Sequence, residues 1–221
     1  MQLFQTLLKQ DSRKQTPQFI QPYVTNIREY KETHSRAAQI KPMILLDRDG
    51  VTNQASDAYV KTLDEWQPLP GSIKSIAALS KAGFQVFVVT NQSGIARGYY
   101  SEATLHAMHD KMTQLVEAEG GRINGIQNCP HGPEDECHCR KPKSGMIEAI
   151  ETELGLSFEH YPAIMVGDSL RDLQAGKTRG CSPVLVLTGK GRETQYKAID
   201  FPFEVFTDLA AFTISTLQKY S

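Results

Sequence analysis

Three apolar runs in this chain each end on residues that carry chemistry, and this arrangement constrains the fold more than any other feature. Met43-Ile44-Leu45-Leu46 leads into Asp47-Arg48-Asp49-Gly50, Val88-Val89 into Thr90-Asn91, and Met165-Val166-Gly167 into Asp168. Apolar runs that alternate with helical patterns indicate a parallel α/β sheet. Open sheets of this class gather their ligand sites at the carboxyl ends of the strands. Strands are expected at 43–47, 84–89, 125–128, 163–167 and 184–187, and helices at 71–81, 101–118, 144–154, 169–178 and 208–217. Ser101 before Glu102 supplies a helix start, and Lys81-Ala82-Gly83 reads as a helix stop with its glycine left-handed. Helices on both faces of the sheet give a layered architecture. The insertions at 51–70 and 129–143 are too short to form a cap domain, so the site is expected to be largely open.

Asp47 and Asp49 lie two residues apart at a strand end. A chain that turns at Arg48 brings both carboxylates to one point, one free to attack and the other free to carry a proton. Carboxylates this close repel each other unless a cation or a shared proton intervenes, which points to a hard divalent ion such as Mg²⁺. Asp168 supplies the third carboxylate of that site. A single Asp after a strand is more often a helix cap, but the whole set favours the catalytic reading.

Asp47-Arg48-Asp49-Gly50-Val51, then Val89-Thr90-Asn91, a basic residue at Lys141, and Gly167-Asp168-Ser169 resemble the four ordered motifs of the haloacid dehalogenase-like phosphohydrolases. The resemblance implies a three-layer, Rossmann-like fold with a central parallel sheet and a minimal cap. It also implies an aspartyl-phosphate mechanism, with Asp47 as nucleophile and Asp49 as general acid and base. Thr90 and Lys141 would stabilise the phosphoryl group, and Mg²⁺ would be held by Asp47, the Asp49 backbone carbonyl and Asp168. Gly50 would let the chain bend and offer amide donors to the phosphoryl oxygens, while Arg48 would point away from phosphorus. Asp172, one helical turn after Asp168, reads either as an aid to the metal through water or as an exposed acid in the first turn of a helix.

Cys129-Pro130-His131 and Cys137-His138-Cys139 form C-x-H-x5-C-x-C. Three thiolates and an imidazole with this spacing close a tetrahedral shell around Zn²⁺, and a closed shell is structural. The ordered loop would run directly into Arg140 and Lys141 and aim both cations at the site. His138 reads as solvent-facing or outside the ligand set, His106 and His109 as helix-surface residues, and Cys181 as a buried small residue.

The zinc loop ending in Cys139-Arg140-Lys141-Pro142 is similar to that of the D-glycero-D-manno-heptose 1,7-bisphosphate 7-phosphatases and of the related histidinol-phosphate phosphatases. Asn53 to Tyr59, Thr90 to Gly98 and Gly167 to Gly176 resemble the heptose branch. That resemblance implies substrate contacts at Ser56, Asp57, Tyr59, Asn91, Gln92, Ser93, Arg140 and Ser169, with Arg140 suited to a second phosphate. It implies removal of the 7-phosphate in ADP- or GDP-heptose precursor synthesis. The alternatives are histidinol-phosphate hydrolysis and, from another class, a non-catalytic zinc-stabilised scaffold.

Lys plus Arg number 24 against 25 Asp plus Glu, a balance that gives no support to a nucleic-acid or membrane-surface partner. A small phosphorylated sugar, no membrane contact, a cytoplasmic setting and a monomer are expected. The chain divides into an extension, 1–40, partly helical or mobile and able to serve self-association or partner binding, and a phosphatase domain, 41–221, containing the zinc loop 129–143.

Overall fold

Strand β1 (Met43–Leu46) is buried along its whole length on both faces, as a central strand of a helix-covered parallel sheet must be. In the computed structural model, residues 40–198 and 201–220 are described. The helical fragments expected around Phe4–Leu8 and Ile27–Ala38 lie outside them. The remaining strands are β2 (Val86–Asn91), β3 (Gly125–Cys129), β4 (Ala163–Gly167), β5 (Ser182–Val186) and β6 (Glu204–Phe206). All pair in parallel in the order β3-β2-β1-β4-β5-β6. The direction of winding reverses between β1 and β4, which places a crevice beyond their carboxyl ends, at Asp47 and Asp168.

Helices α1 (Ser72–Lys81), α2 (Glu102–Ala118), α3 (Gly145–Leu154), α4 (Leu170–Thr178), α5 (Gly191–Lys197) and α6 (Leu209–Lys219) complete the fold. Ile44, Leu46, Val166 and Val184 project from one sheet face onto Ile76 and Leu79 of α1 and Leu209 and Phe212 of α6. Full burial of such side chains contributes about 1.5–3 kcal/mol each, and Ile44→Ala would forfeit roughly 2–5 kcal/mol through the cavity it leaves. The alternate residue Met165 faces α4, where a Cβ on Gly176 would come within 2.4 Å of the Met165 Cβ. Only glycine allows that close packing.

The Ser101 hydroxyl caps α2 by accepting from the Thr104 amide at 3.1 Å, and Gly83 follows α1 at φ +86°. β1 stops one residue earlier than expected and β3 runs one residue longer, and two further strands begin two residues from their expected starts. β2 begins at Val86 and extends through Thr90 and Asn91, because these two pair with Asn128 and Cys129 of β3. β5 begins at Ser182 and includes Pro183, tolerated there because β6 pairs only from Val184 onward. Helix α5 and strand β6 were not expected: Gly-Arg-Glu-Thr-Gln-Tyr-Lys has no apolar stripe, and β6 is a three-residue edge strand. No helix among the described residues is long and apolar enough to cross a membrane.

Candidate active site

Beyond the carboxyl ends of β1 and β4 lies a cavity of about 340 Å³ whose lining includes Asp47, Asp49, Lys141 and Asp168. Its shape begins with the turn after β1. The amides of Val51, Thr52 and Asn53 all donate to the Arg48 carbonyl, folding the chain back on itself. Gly50 sits at φ +90°, and a Cβ there would lie 2.2 Å from Asp168 Oδ2. The Gly50 amide donates to the Asn53 carbonyl at 2.8 Å, so it is spent inside the turn rather than offered to a phosphoryl group as expected.

Lys141 binds the site together. Its ammonium, 2% exposed, donates to Asp47 Oδ1 at 2.8 Å and the Val89 carbonyl at 2.6 Å, and pairs with Asp172 Oδ1 at 2.7 Å. Its backbone is clamped by Asn91, whose amide nitrogen donates to the Lys141 carbonyl and whose oxygen accepts from the Lys141 amide, both at 3.0 Å. Burial disfavours the ammonium, but Asp172 and Asp47 outweigh it and hold Lys141 above the ordinary lysine value. Asp172 is therefore neither exposed nor idle: its second oxygen accepts from the Ser169 amide and hydroxyl at 3.0 and 2.6 Å.

Asp47, Asp168 and Asp172 bring their carboxylates within 4.8 Å of one another, all buried. Burial first, then repulsion from Asp172, pushes Asp47 up to about 7. The same two causes, with Asp47 added, push Asp168 up to about 8. One ammonium among three carboxylates leaves excess negative charge, a donor set that fits a hard divalent cation. Asp168 is oriented from behind by residues outside the motifs: the Lys190 amide donates to its Oδ2, the Thr194 hydroxyl to its carbonyl, and Gly189 lies where a Cβ would come within 2.1 Å of it.

Asp49 behaves oppositely. Burial would raise it, but the Arg48 guanidinium and hydrogen bonds from Asn53 and Gln92 prevail and hold it below the usual carboxylate range. Arg48 is not at the surface; it is 1% exposed. Thr90, expected to stabilise the phosphoryl group, is not among the cavity-lining residues: it is buried, and its Oγ1 accepts from Gln92 Nε2 at 2.7 Å. Ser56, Asp57, Tyr59, Asn91, Gln92, Ser93, Arg140 and Ser169 all line the cavity. Asn91 and Gln92, however, have their amides committed to Lys141 and Asp49. Asp57 lies 3.5 Å from the Lys190 ammonium, and the Tyr59 ring packs tilted against Tyr99 with centroids 5.0 Å apart. Arg97, Tyr100, Arg171 and Lys190 also line the cavity; Arg97 and Arg171 fall within the Thr90–Gly98 and Gly167–Gly176 stretches, but none of the four had been singled out as a contact.

In the cysteine cluster, Cys139 Sγ lies 3.1 Å from Cys129, 3.4 Å from Cys137 and 3.2 Å from His131 Nδ1. Cys129 lies 3.6 Å from Cys137 and 3.7 Å from His131 Nδ1. A tetrahedron with metal–sulfur bonds of about 2.3 Å has edges near 3.8 Å, so the four ligand atoms are close to the spacing a zinc ion requires. Arg140 Nη1 donates to the His131 carbonyl at 3.1 Å, which ties the loop to the cavity wall. His138 lies outside the cluster and pairs with Glu148 at 2.7 Å. His109 departs from expectation: it is 7% exposed, and burial, then Arg48, lower its pKa to about 3, so it is a neutral core residue.

The HAD-hydrolase-like family profile matches residues 138–212. The D-glycero-beta-D-manno-heptose-1,7-bisphosphate 7-phosphatase of Pseudomonas putida is 53% identical over 169 residues, covering 76% of this chain and 95% of that protein. Its Pseudomonas aeruginosa counterpart is 51% identical over 178 residues, covering 80% of this chain and 99% of that one. The crystal structure of the B. bronchiseptica D,D-heptose 1,7-bisphosphate phosphatase, complexed with magnesium and phosphate, superposes with a TM-score of 0.76 at 49% identity, covering 80% of this chain and 99% of that one.

Proposed function

The chain belongs to the D-glycero-D-manno-heptose-1,7-bisphosphate 7-phosphatase family of the haloacid dehalogenase superfamily, and from that premise we propose that its cavity hydrolyses the 7-phosphate through an aspartyl-phosphate on Asp47. The relatives are named for the β anomer, and the β-bisphosphate is the substrate proposed here. The observation that carries the reading is Asp47 on Lys141 at 2.8 Å, with Asp49 two residues on at the same cavity.

An Asp47 oxygen attacks phosphorus in line with the leaving sugar oxygen. Lys141 offsets the charge that this brings together. Asp49, held ionised in the substrate-free site, takes up a proton when the anionic substrate enters beside it, delivers it to the leaving alkoxide, then takes one from the water that attacks the aspartyl-phosphate. Asp47, the Asp49 carbonyl and Asp168 are the residues proposed to hold Mg²⁺, which when bound supplies electrostatic stabilisation of the transferring phosphoryl group. Arg140, with a planar fork of donors on the cavity wall, is assigned to the 1-phosphate. Zn²⁺ at Cys129, His131, Cys137 and Cys139 would hold the loop that carries Arg140 and Lys141. A cluster of free thiols retains metal best in a reducing compartment, which supports a cytoplasmic setting in the heptose precursor pathway of lipopolysaccharide.

Acid quench during turnover tests the intermediate. The wild-type chain should retain phosphate in a hydroxylamine-labile bond on the peptide containing Asp47, and Asp47→Asn should retain none. Labelling of the Asp47→Asn chain at the wild-type level would exclude Asp47 as nucleophile.

A further inference from the structure

Both oxygens of Asp49 are occupied by side-chain donors. Arg48 donates from Nε and Nη2 to Oδ1 at 3.2 and 2.8 Å, and from Nη2 to Oδ2 at 3.0 Å. Asn53 Nδ2 donates to Oδ1 at 2.9 Å and Gln92 Nε2 to Oδ2 at 2.8 Å. The amide of Gln92 is itself fixed in orientation, because its Oε1 accepts from the Tyr100 hydroxyl at 2.6 Å, which turns the NH₂ toward Asp49 and Thr90.

Arg48 is buried, and among the described residues Asp49 is the carboxylate it pairs with, while its Nη1 has no protein partner. Burying such a pair costs about as much desolvation as its attraction returns, so stability alone is a weak reason for it. Geometry is a stronger one. A proton donor must lie within roughly 2.6–3.2 Å of the leaving oxygen, and a displacement of about 1 Å can cost on the order of 10²-fold in rate. A half-exposed Asp side chain would otherwise sample several rotamers.

We infer that Arg48, with Asn53 and the Tyr100-oriented Gln92, is a positioning device that fixes the Asp49 side chain at the cavity, one of these donors giving way when Asp49 takes up the proton it transfers. The inference rests on the reading of Asp49 as the proton donor. Arg48 and Tyr100 act through Asp49, and a merely structural role would slow every substrate alike.

The test is the single-turnover rate of Asp47 phosphorylation in the full-length, metal-loaded chain with two substrates. Heptose bisphosphate has a poor alkoxide leaving group that needs a proton, whereas 4-nitrophenyl phosphate expels a stable phenolate that does not. Arg48→Met should slow phosphorylation by the bisphosphate on the order of 10²-fold and that by the aryl ester less than about tenfold, with KM nearly unchanged. Arg48→Lys, which keeps the charge but loses the fork, should recover only part of the loss. Tyr100→Phe, which removes a single hydroxyl, should show the same leaving-group contrast at smaller size, and it decides the matter if Arg48→Met does not fold. Equal proportional losses on both substrates, or a loss confined to KM, would overturn the inference. Asp49→Asn is measured alongside. Absence of a leaving-group contrast there removes the proton-donor reading itself, whereas a contrast in Asp49→Asn alone removes only the positioning role.

Discussion

Lys141 and Asp172 meet at 2.7 Å with both side chains 2% exposed, so the cation nearest the nucleophile is shared with a carboxylate from the helix that follows Asp168. Removing one member of a buried pair leaves the other uncompensated, at a cost of roughly 3–5 kcal/mol. Lys141→Met should therefore destabilise the metal-free chain by that order in urea unfolding and abolish most turnover. Adding Asp172→Asn should return part of the stability and none of the activity. Recovery of activity in the double variant would show that Lys141 serves packing rather than the phosphoryl group.

The raised carboxylates predict a pH-dependent metal affinity. In the metal-free chain Asp47, at about 7, and Asp168, at about 8, are protonated well above the range of ordinary carboxylates. A carboxylate raised on folding contributes stability that is present below its unfolded pKa and lost as pH rises through its folded one. These two groups therefore destabilise the metal-free chain progressively up to about pH 8, where a divalent cation compensates them. The rise in Tm on adding Mg²⁺ should grow from about pH 6 to pH 8.5, and calorimetry near pH 7 should detect proton release on binding. A Tm shift independent of pH would show that these carboxylates do not take up the metal.

Cys137→Ser replaces a thiolate by a poor ligand in the four-membered cluster. Metal analysis should show lost zinc, and proteolysis should find new cleavage within 129–143 while the sheet stays folded. Because Arg140 is tied to the His131 carbonyl and Lys141 follows it, kcat/KM should fall as well. Full zinc content with unchanged kinetics would remove Cys137 from the ligand set.

Arg140→Ala should raise KM for the bisphosphate about 10- to 100-fold, the loss expected of charge-assisted hydrogen bonds to the distal phosphate. A monophosphate that lacks that second anion should change little. Lys141→Met should impair both. An equal proportional loss on the two substrates in Arg140→Ala would end its assignment to the 1-phosphate.

The meeting of Asp47, Asp168 and Lys141 at one cavity with Asp49, and the clustering of Cys129, His131, Cys137 and Cys139, were legible because these residues sit at strand ends or at metal-ligand spacing along the chain. The division of labour among the polar residues was not. Asn91 and Gln92 read as substrate contacts, yet one amide holds the Lys141 backbone fifty positions away and the other holds Asp49, pairings that only the folded sheet creates. His109 read as a helix-surface residue because polar residues neighbour it on its helix, whereas Arg48, expected to point away from phosphorus, is buried and paired with Asp49. The support behind Asp168 from Lys190 and Thr194, and that of Thr188 on the Gly50 carbonyl, were missed with helix α5, whose sequence carries no periodic signal.

The most direct test of the proposed activity compares kcat/KM for D-glycero-β-D-manno-heptose 1,7-bisphosphate and for histidinol phosphate in the Mg²⁺-loaded chain, with ³¹P NMR assigning the phosphate released. The expected result is a large preference for the bisphosphate, with the 7-phosphate resonance lost and the 1-phosphate retained. Equal or greater efficiency with histidinol phosphate, or release of the 1-phosphate first, would contradict it.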